Sequence, residues 1–352
     1  MPIFIVGSSR SGTSLMLEII NRMSSHKIAL ETHYFDDLRP RLGDPCCRLS
    51  DDEKIKVENY FLAISHRPYG VKGDPEKSPV GREKLRNLAE ELGGSGDAYF
   101  EAHCRLHRLD DRIEVVDAWG EKTPRHVCRI KEIAEAFPKS RFIFMLRDPR
   151  AVVFSYAKWS KKHHEIVEAT EDHELRKLRR QEAERMRRSF HPVIATMVWK
   201  SAVSTSLNAR NVLGDHRFKI VRYESLCESE DETIEDLWNW IDTKEVDHDA
   251  TVPFTNSSFE EGENETGLSQ KSVNRWKEHM LPRTRRRIER LGGRTLDKVG
   301  YPRKRYFTDP LMRPFDYLAG VPAFFSAVIV NRSRYANPVQ YIGRRLMALI
   351  SP

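Results

Sequence analysis

Apolar residues fall into two kinds of pattern along this chain. Ile3–Val6, Ile113–Val116, Arg141–Leu146 and Phe218–Val221 are short, β-rich runs, and RFIFML at 141–146 has the unbroken apolar character of a strand covered on both faces. Between these runs the apolar positions recur at helical spacing. Leu15, Ile19 and Met23 stand four apart, and Ile130, Ile133, Ala134 and Phe137 share a face behind Thr123-Pro124, an N-cap residue followed by proline. Asp148-Pro149 repeats that start signal directly after RFIFML. Strands alternating with helices predict an α/β protein with a central, mainly parallel sheet in a three-layer arrangement.

Three stretches depart from the alternation. Residues 161–188 hold nine Lys/Arg and seven Asp/Glu, with Asp172/Arg176 and Glu184/Arg188 at helical spacing. This predicts a solvated helix inserted over about residues 161–190, and its alternating signs give too little net field to mark a nucleic-acid contact. Residues 255–267 (TNSSFEEGENETG) read as a polar surface loop. The apolar run Tyr317–Val330, interrupted by Gly320, Pro322 and Ser326, is short for a membrane span at 14 residues. Arg332, Arg334, Arg344 and Arg345 follow it, mixed with Tyr341, Ile342, Leu346, Met347 and Ile350. A tail of this kind packs on the protein, joins a dimer interface or lies peripherally on an anionic bilayer. The expected organisation is one domain over residues 1–310 and an apolar, basic tail over 311–352.

Composition narrows the class. With 352 residues, 39% hydrophobic and 32% charged, the chain is too apolar for a disordered polyelectrolyte and too punctuated for a polytopic membrane protein. The net charge of +7 fits an anionic partner: nucleic acid, an anionic surface or a phosphorylated small molecule. Five cysteines, an odd number without C-x-x-C spacing, favour neither a disulfide framework nor a zinc module and point to a reducing compartment, hence a cytoplasmic protein. The opening residues read as a buried strand starting near residue 3 rather than as a secretory leader.

The richest segment is IFIVGSSRSGTSLM. A buried strand ends at Gly7, small residues follow, and a helix begins near Thr13-Ser14, so backbone N–H groups and the helix N-terminus converge on an anion. Gly7 and Gly12 permit close backbone approach, Arg10 supplies a cation, and Ser11, Thr13 and Ser14 supply hydroxyl donors. The spacing is that of a Walker A loop with Thr13 in place of the lysine. Asp117, after the Ile113–Val116 run, is a candidate Walker B acid. Lacking the lysine that stabilises β/γ-phosphate charge, the loop disfavours a magnesium-dependent NTPase. In RFIFMLRDPRAVVFSY, Arg147 sits at a strand's C-terminal edge, where open α/β sheets bind ligands, and Ser155 lies two turns into the next helix. A second phosphate suits that position.

Together GSSRSGTS and RDPRAVVFSY resemble the 5′-phosphosulfate loop and the 3′-phosphate motif of the sulfotransferases that use 3′-phosphoadenosine 5′-phosphosulfate (PAPS). The segments ETHYF (31–35), EKTPRHV (121–127), VRYESL (221–226) and SQKSVNRWKEHM (269–280) extend the likeness in the same order from residue 3 to about residue 280. The resemblance implies a P-loop-type fold and sulfuryl transfer from PAPS, without a metal. Arg10, Ser11, Gly12, Thr13 and Ser14 would hold the 5′-phosphosulfate, and Arg147 and Ser155 the 3′-phosphate. Tyr223 would lie by the adenine, with Lys271, Ser272 and Arg275 in a closing segment. Arginine rather than lysine at position 10 points to the carbohydrate and bacterial branches, implying a carbohydrate or lipid-linked glycan hydroxyl as acceptor.

Sulfuryl transfer requires a base for the acceptor hydroxyl and stabilisation of the departing phosphate. Glu31 is the preferred base. His33 competes, because an imidazole ordinarily titrates near physiological pH. Lys122, next to the Thr123 start signal, is the candidate for the leaving-group side. Two other classes remain: a P-loop nucleotide kinase, which would turn over magnesium-ATP, and a non-catalytic nucleotide- or nucleic-acid-binding protein with its contacts in residues 161–188.

Overall fold

The computed structural model describes residues 1–66, 73–109, 112–242, 246–247, 270–332 and 336–350, leaving aside the side chains of residues 108, 160–164, 270, 271 and 350. Among the described residues seven strands are present: β1 Ile3–Gly7, β2 Lys27–Ala29, β3 Leu106–Leu109, β4 Arg112–Val115, β5 Trp119–Lys122, β6 Arg141–Leu146 and β7 Phe218–Arg222. Five of them form one sheet in the order β2-β5-β1-β6-β7, every neighbouring pair parallel.

The unbroken apolar character of β1 and β6 follows from a core on each face. Phe4 and Val6 of β1, with Phe142, Phe144 and Leu146 of β6, join one apolar cluster. The alternate residues Ile3, Ile5, Ile143 and Met145 join the other, with the helices Thr13–Met23 and Glu230–Ile241. Phe4 is fully buried and meets the rings of Phe100, Trp119, Phe137 and Phe142 at centroid distances of 5.6 to 6.2 Å. This packing fixes the sheet's C-terminal edge.

Two expected elements differ. The run at Ile113–Val116 is not a sheet strand: β4 pairs antiparallel with β3 in a separate hairpin, and most of its side chains are exposed. The strand that completes the sheet is the less apolar β5, all four residues buried. The charged insertion is not one helix either. Pro149–Glu168 ends before Thr170, and His173–Ser189 starts on the Asp172 side chain, which accepts from Leu175 N at 2.7 Å. Glu184 pairs with Arg187 at 2.8 Å. The loop expected at 255–267 lies outside the described residues.

Beyond the sheet, the apolar run at Tyr317–Val330 belongs to a longer helix, Asp309–Asn331, which continues through Pro314 and Pro322. It packs on the helices His173–Ser189 and Pro192–Leu213. Among the described residues it is the one helix long and apolar enough to cross a membrane by length and composition. The last helix, Pro338–Ile350, also packs on Pro192–Leu213. Its arginines turn inward: Arg345 is buried and donates to Ser201 Oγ at 3.0 Å, and Arg344 pairs with Glu132. Arg344 and Arg345 of the tail's expected basic face are therefore taken up by the protein, Arg332 is exposed, and Arg334 lies outside the described residues.

Candidate active site

Parallel strands bring five chain segments to one edge of the sheet. In the lateral order β2, β5, β1, β6, β7, their C-terminal ends deliver Glu31, Lys122, the loop after Gly7, Arg147 and Tyr223. Four interstrand gaps make this row about 19 Å long.

The loop is built as an anion cradle. Ser11 N donates to the Ser8 carbonyl at 3.1 Å, and Arg10 and Gly12 adopt left-handed φ values of 71° and 94°. A Cβ on Gly12 would stand 2.5 Å from Tyr223 Cδ2, so both conformation and space call for glycine there. Gly12 caps the helix Thr13–Met23 without a side-chain acceptor, and no carboxylate occupies its first turn, leaving the positive end of the helix dipole uncompensated. Ser11 Oγ is buried with no hydrogen-bond partner among the described residues, an orphaned donor facing an anion-shaped loop.

Arg10 Nε donates to Ser155 Oγ at 3.2 Å, and its guanidinium lies 5.2 Å from the Trp159 ring. Arg147 is buried. It donates to the Arg10 carbonyl at 3.1 Å and the Ser272 carbonyl at 3.1 Å, and it stacks 3.8 Å over the Tyr223 ring. Its Nε has no partner among the described residues, which leaves that N–H for a ligand. Tyr223 Oη and Ser272 Oγ share a 2.6 Å hydrogen bond; burial pushes the phenol's pKa up, against the pull of the Arg147 cation. Trp199 Nε1 holds the Arg147 carbonyl at 2.9 Å. The loop, Arg147, Ser155, Tyr223 and Ser272 thus surround one crevice. Arg275 is half-buried on the helix Gln270–His279, and the Lys271 side chain lies outside the described residues.

At the other end of the row, Lys122 Nζ reaches Glu31 Oε1 at 2.7 Å, and His33 Nε2 lies 3.4 Å from Glu31 Oε2. All three candidates for the chemistry therefore stand together. His33 sits at a left-handed φ of 57°, which turns the chain from Glu31 into the short helix Tyr34–Asp37.

A buried carboxylate missed in the sequence holds this corner. Glu121 Oε1 accepts from Thr32 N and Thr32 Oγ1, both at 2.9 Å, and from Thr123 Oγ1; Oε2 lies 3.2 Å from His126 Nδ1. Burial works to raise the Glu121 pKa, but His126 and the donated hydrogen bonds outweigh it and hold the carboxyl below its usual range. Thr123 therefore spends its hydroxyl on Glu121, and the following turn Pro124–Arg129 has no side-chain cap. Glu121 and Thr32 both lie in segments singled out from the sequence, but nothing there signals that they meet across 89 residues.

Asp117 is not a Walker B acid. It precedes β5, at the edge of the sheet opposite the loop, where it is exposed and pairs with Arg105.

Fold and edge define an α/β transferase of the P-loop type whose anion loop carries Thr13 where phosphoryl-transfer enzymes carry lysine. The chain belongs to the sulfotransferase family, whose model matches residues 2–247, and it is a sulfuryl-transferring enzyme. Solved structures similar to it include the sulfotransferase domain from the curacin biosynthetic pathway, at 16% identity and a TM-score of 0.48, over 86% of this chain and 99% of that one. The sulfotransferase domain of the Synechococcus PCC 7002 olefin synthase gives 14% and 0.48, over 86% and 95%. A sulfotransferase from Alicyclobacillus acidocaldarius gives 16% and 0.43, over 86% and 97%. No curated protein matches the sequence.

Proposed function

We propose that this enzyme transfers the sulfuryl group of PAPS to a hydroxyl of a carbohydrate or lipid-linked glycan. The observation that carries the donor assignment is the pair of cationic positions in one crevice, linked by the 3.1 Å contact from Arg147 to the Arg10 carbonyl. Arg10 to Ser14 suit the 5′ end of such a donor; Arg147 and Ser155 suit its 3′-phosphate. The orphaned Ser11 Oγ and Arg147 Nε are the donors an anion there would satisfy. The donor supplies the sulfuryl group and leaves as the 3′,5′-bisphosphate. Glu31 takes the acceptor proton as the acceptor oxygen bonds to sulfur and the bond from sulfur to the phosphate oxygen breaks. Lys122 gives one N–H to Glu31 and keeps two for the charge on the departing oxygen. The carbohydrate or glycan acceptor rests on the likeness of the Arg10 loop to that branch of the family.

Titration calorimetry with 3′,5′-bisphosphoadenosine tests the donor site. Arg147→Ala removes charge-assisted hydrogen bonds of about 1.5–3 kcal/mol, so affinity should fall about 10- to 100-fold or more. Arg10→Ala should do likewise, and unchanged affinity in Arg147→Ala would refute the 3′-phosphate assignment. Glu31→Gln should keep affinity and lose turnover of labelled donor. Should it turn over normally while His33→Ala is dead, His33 is the base.

A further inference from the structure

The helix Asp309–Asn331 is covered on one side, where Asp309, Asp316 and Gly320 are buried, and open on the other. Asp316 is buried against Arg287 at 2.9 Å and Arg290 at 2.7 Å, and Asp309 is buried beside Arg290 at 3.8 Å. On the opposite side Leu311, Phe315, Leu318, Phe325 and Ile329 follow one another at steps of four, three, seven and four residues and are each more than half exposed, and Phe307, just before the helix, is almost wholly exposed. Such a stripe needs an occupant.

The charges around it say which. Between Lys304 and Arg332 the only acidic residues are Asp309 and Asp316, and both are spent inward. Arg283 and Arg286 of the helix Pro282–Gly292 are exposed, and they line an open groove with Met312 and Phe315. Arg286 lies 4.7 Å from the Tyr306 ring. Lys304 is exposed at the same end of the stripe and Arg332 at the other. We propose that this face seats the protein on an anionic phospholipid bilayer, the helix lying in the interface plane with its apolar stripe among the acyl chains and Arg283, Arg286, Lys304 and Arg332 at headgroup level.

The same features disfavour the other occupants. The helix is about 35 Å long, enough to span. Crossing would strip Asp309 and Asp316 from their arginines and detach the helix from His173–Ser189 and Pro192–Leu213. A second copy packed through the stripe, parallel or antiparallel, would bring exposed cations together at the ends. The surface stands independently of the donor chemistry.

Flotation of the full chain with vesicles tests it, using phosphatidylcholine alone and phosphatidylcholine doped with phosphatidylglycerol. The protein should float with the anionic vesicles at least about tenfold more than with the neutral ones. Phe307→Ser/Phe315→Ser/Phe325→Ser should lower that binding about tenfold, and Arg283→Glu/Arg286→Glu should lower it without touching the apolar stripe. Unchanged circular dichroism and bisphosphate affinity in both variants separate this result from misfolding or loss of the donor site. Three outcomes overturn the proposal. These are flotation with neither vesicle type, resistance to alkaline carbonate extraction of the kind a spanning helix shows, and a dimer that the triple serine variant dissolves.

Discussion

Glu121→Gln isolates the buried carboxylate that ties the Glu31 loop to β5. The substitution preserves shape and leaves an oxygen able to accept from Thr32 N, Thr32 Oγ1 and Thr123 Oγ1. It removes the charge from those three bonds and places an amide against His126. A hydrogen bond to a charged group contributes about 1.5–3 kcal/mol and a neutral one about 0.5–1.5, so each of the three weakens by about 1 kcal/mol. The folded state should lose about 2–4 kcal/mol, and thermal denaturation of a 352-residue chain should show a fall of about 3–5 °C. The functional effect is directional. Thr32 sits between Glu31 and His33, so loosening it misplaces the two candidate bases, and a misplacement of about 1 Å costs about 100-fold in rate. The crevice around Arg10, Arg147 and Tyr223 makes no hydrogen bond to Glu121 among those described. Turnover should therefore fall about 10- to 100-fold while bisphosphate affinity stays within about twofold. Equal losses in turnover and affinity, or a wild-type melting temperature, would refute this positioning role.

Gly12→Ala combines a left-handed φ with a Cβ 2.5 Å from Tyr223 Cδ2, so it should cost at least about 1–2 kcal/mol and weaken bisphosphate binding; chemical denaturation and calorimetry read the two effects. His26 supplies a pH dependence: burial, and then the cations of the N-terminus, Lys27 and Arg141, lower its pKa from 6.5 to about 4. The unfolded chain binds the proton first, so stability is intact above pH 6.5 and declines as pH falls toward 4. At pH 5 the loss is at most about 2 kcal/mol, less any solvent screening. Urea denaturation of the wild type and His26→Gln at pH 7 and pH 5 checks this, and an equal drop in both proteins would rule His26 out as the source.

Legibility in the sequence followed contiguity. The strand, glycines, hydroxyls and helix of the anion loop are neighbours in the chain, so their pattern was readable, as were β6, Arg147 and the Asp148-Pro149 start. β5 was not, because WGEK has no apolar run. Glu121 and Lys122 are buried through partners 91 or fewer residues away rather than through hydrophobicity. Ile113–Val116 misled for the converse reason: its β-branched residues lie in or beside a hairpin strand, β4, that exposes most of its side chains. The inward turn of Arg344 and Arg345 was equally invisible, since their partners Glu132 and Ser201 are 212 and 144 residues distant.

Lateral order also separates the charged groups along the edge. At the β6–β7 end the carboxylates are already engaged: Asp148 by Arg150 at 2.6 Å, and Glu224 by Asp148 N at 2.9 Å and Tyr301 Oη at 2.8 Å. Arg150 in turn is held by Glu289 at 2.8 Å. Those acids brace the strand ends, which leaves the Arg147 side of the crevice to cationic and hydroxyl donors suited to phosphate. At the β2–β5 end the Glu31 side chain is over a third exposed and carries Lys122 and His33 beside it. A ligand laid along the row meets anion-binding groups first and a carboxylate, an imidazole and an ammonium last. On the proposed function, proton transfer and charge stabilisation would fall at the β2–β5 end. The strand order, which inserts β5 between β2 and β1, is what puts Lys122 between Glu31 and the anion loop.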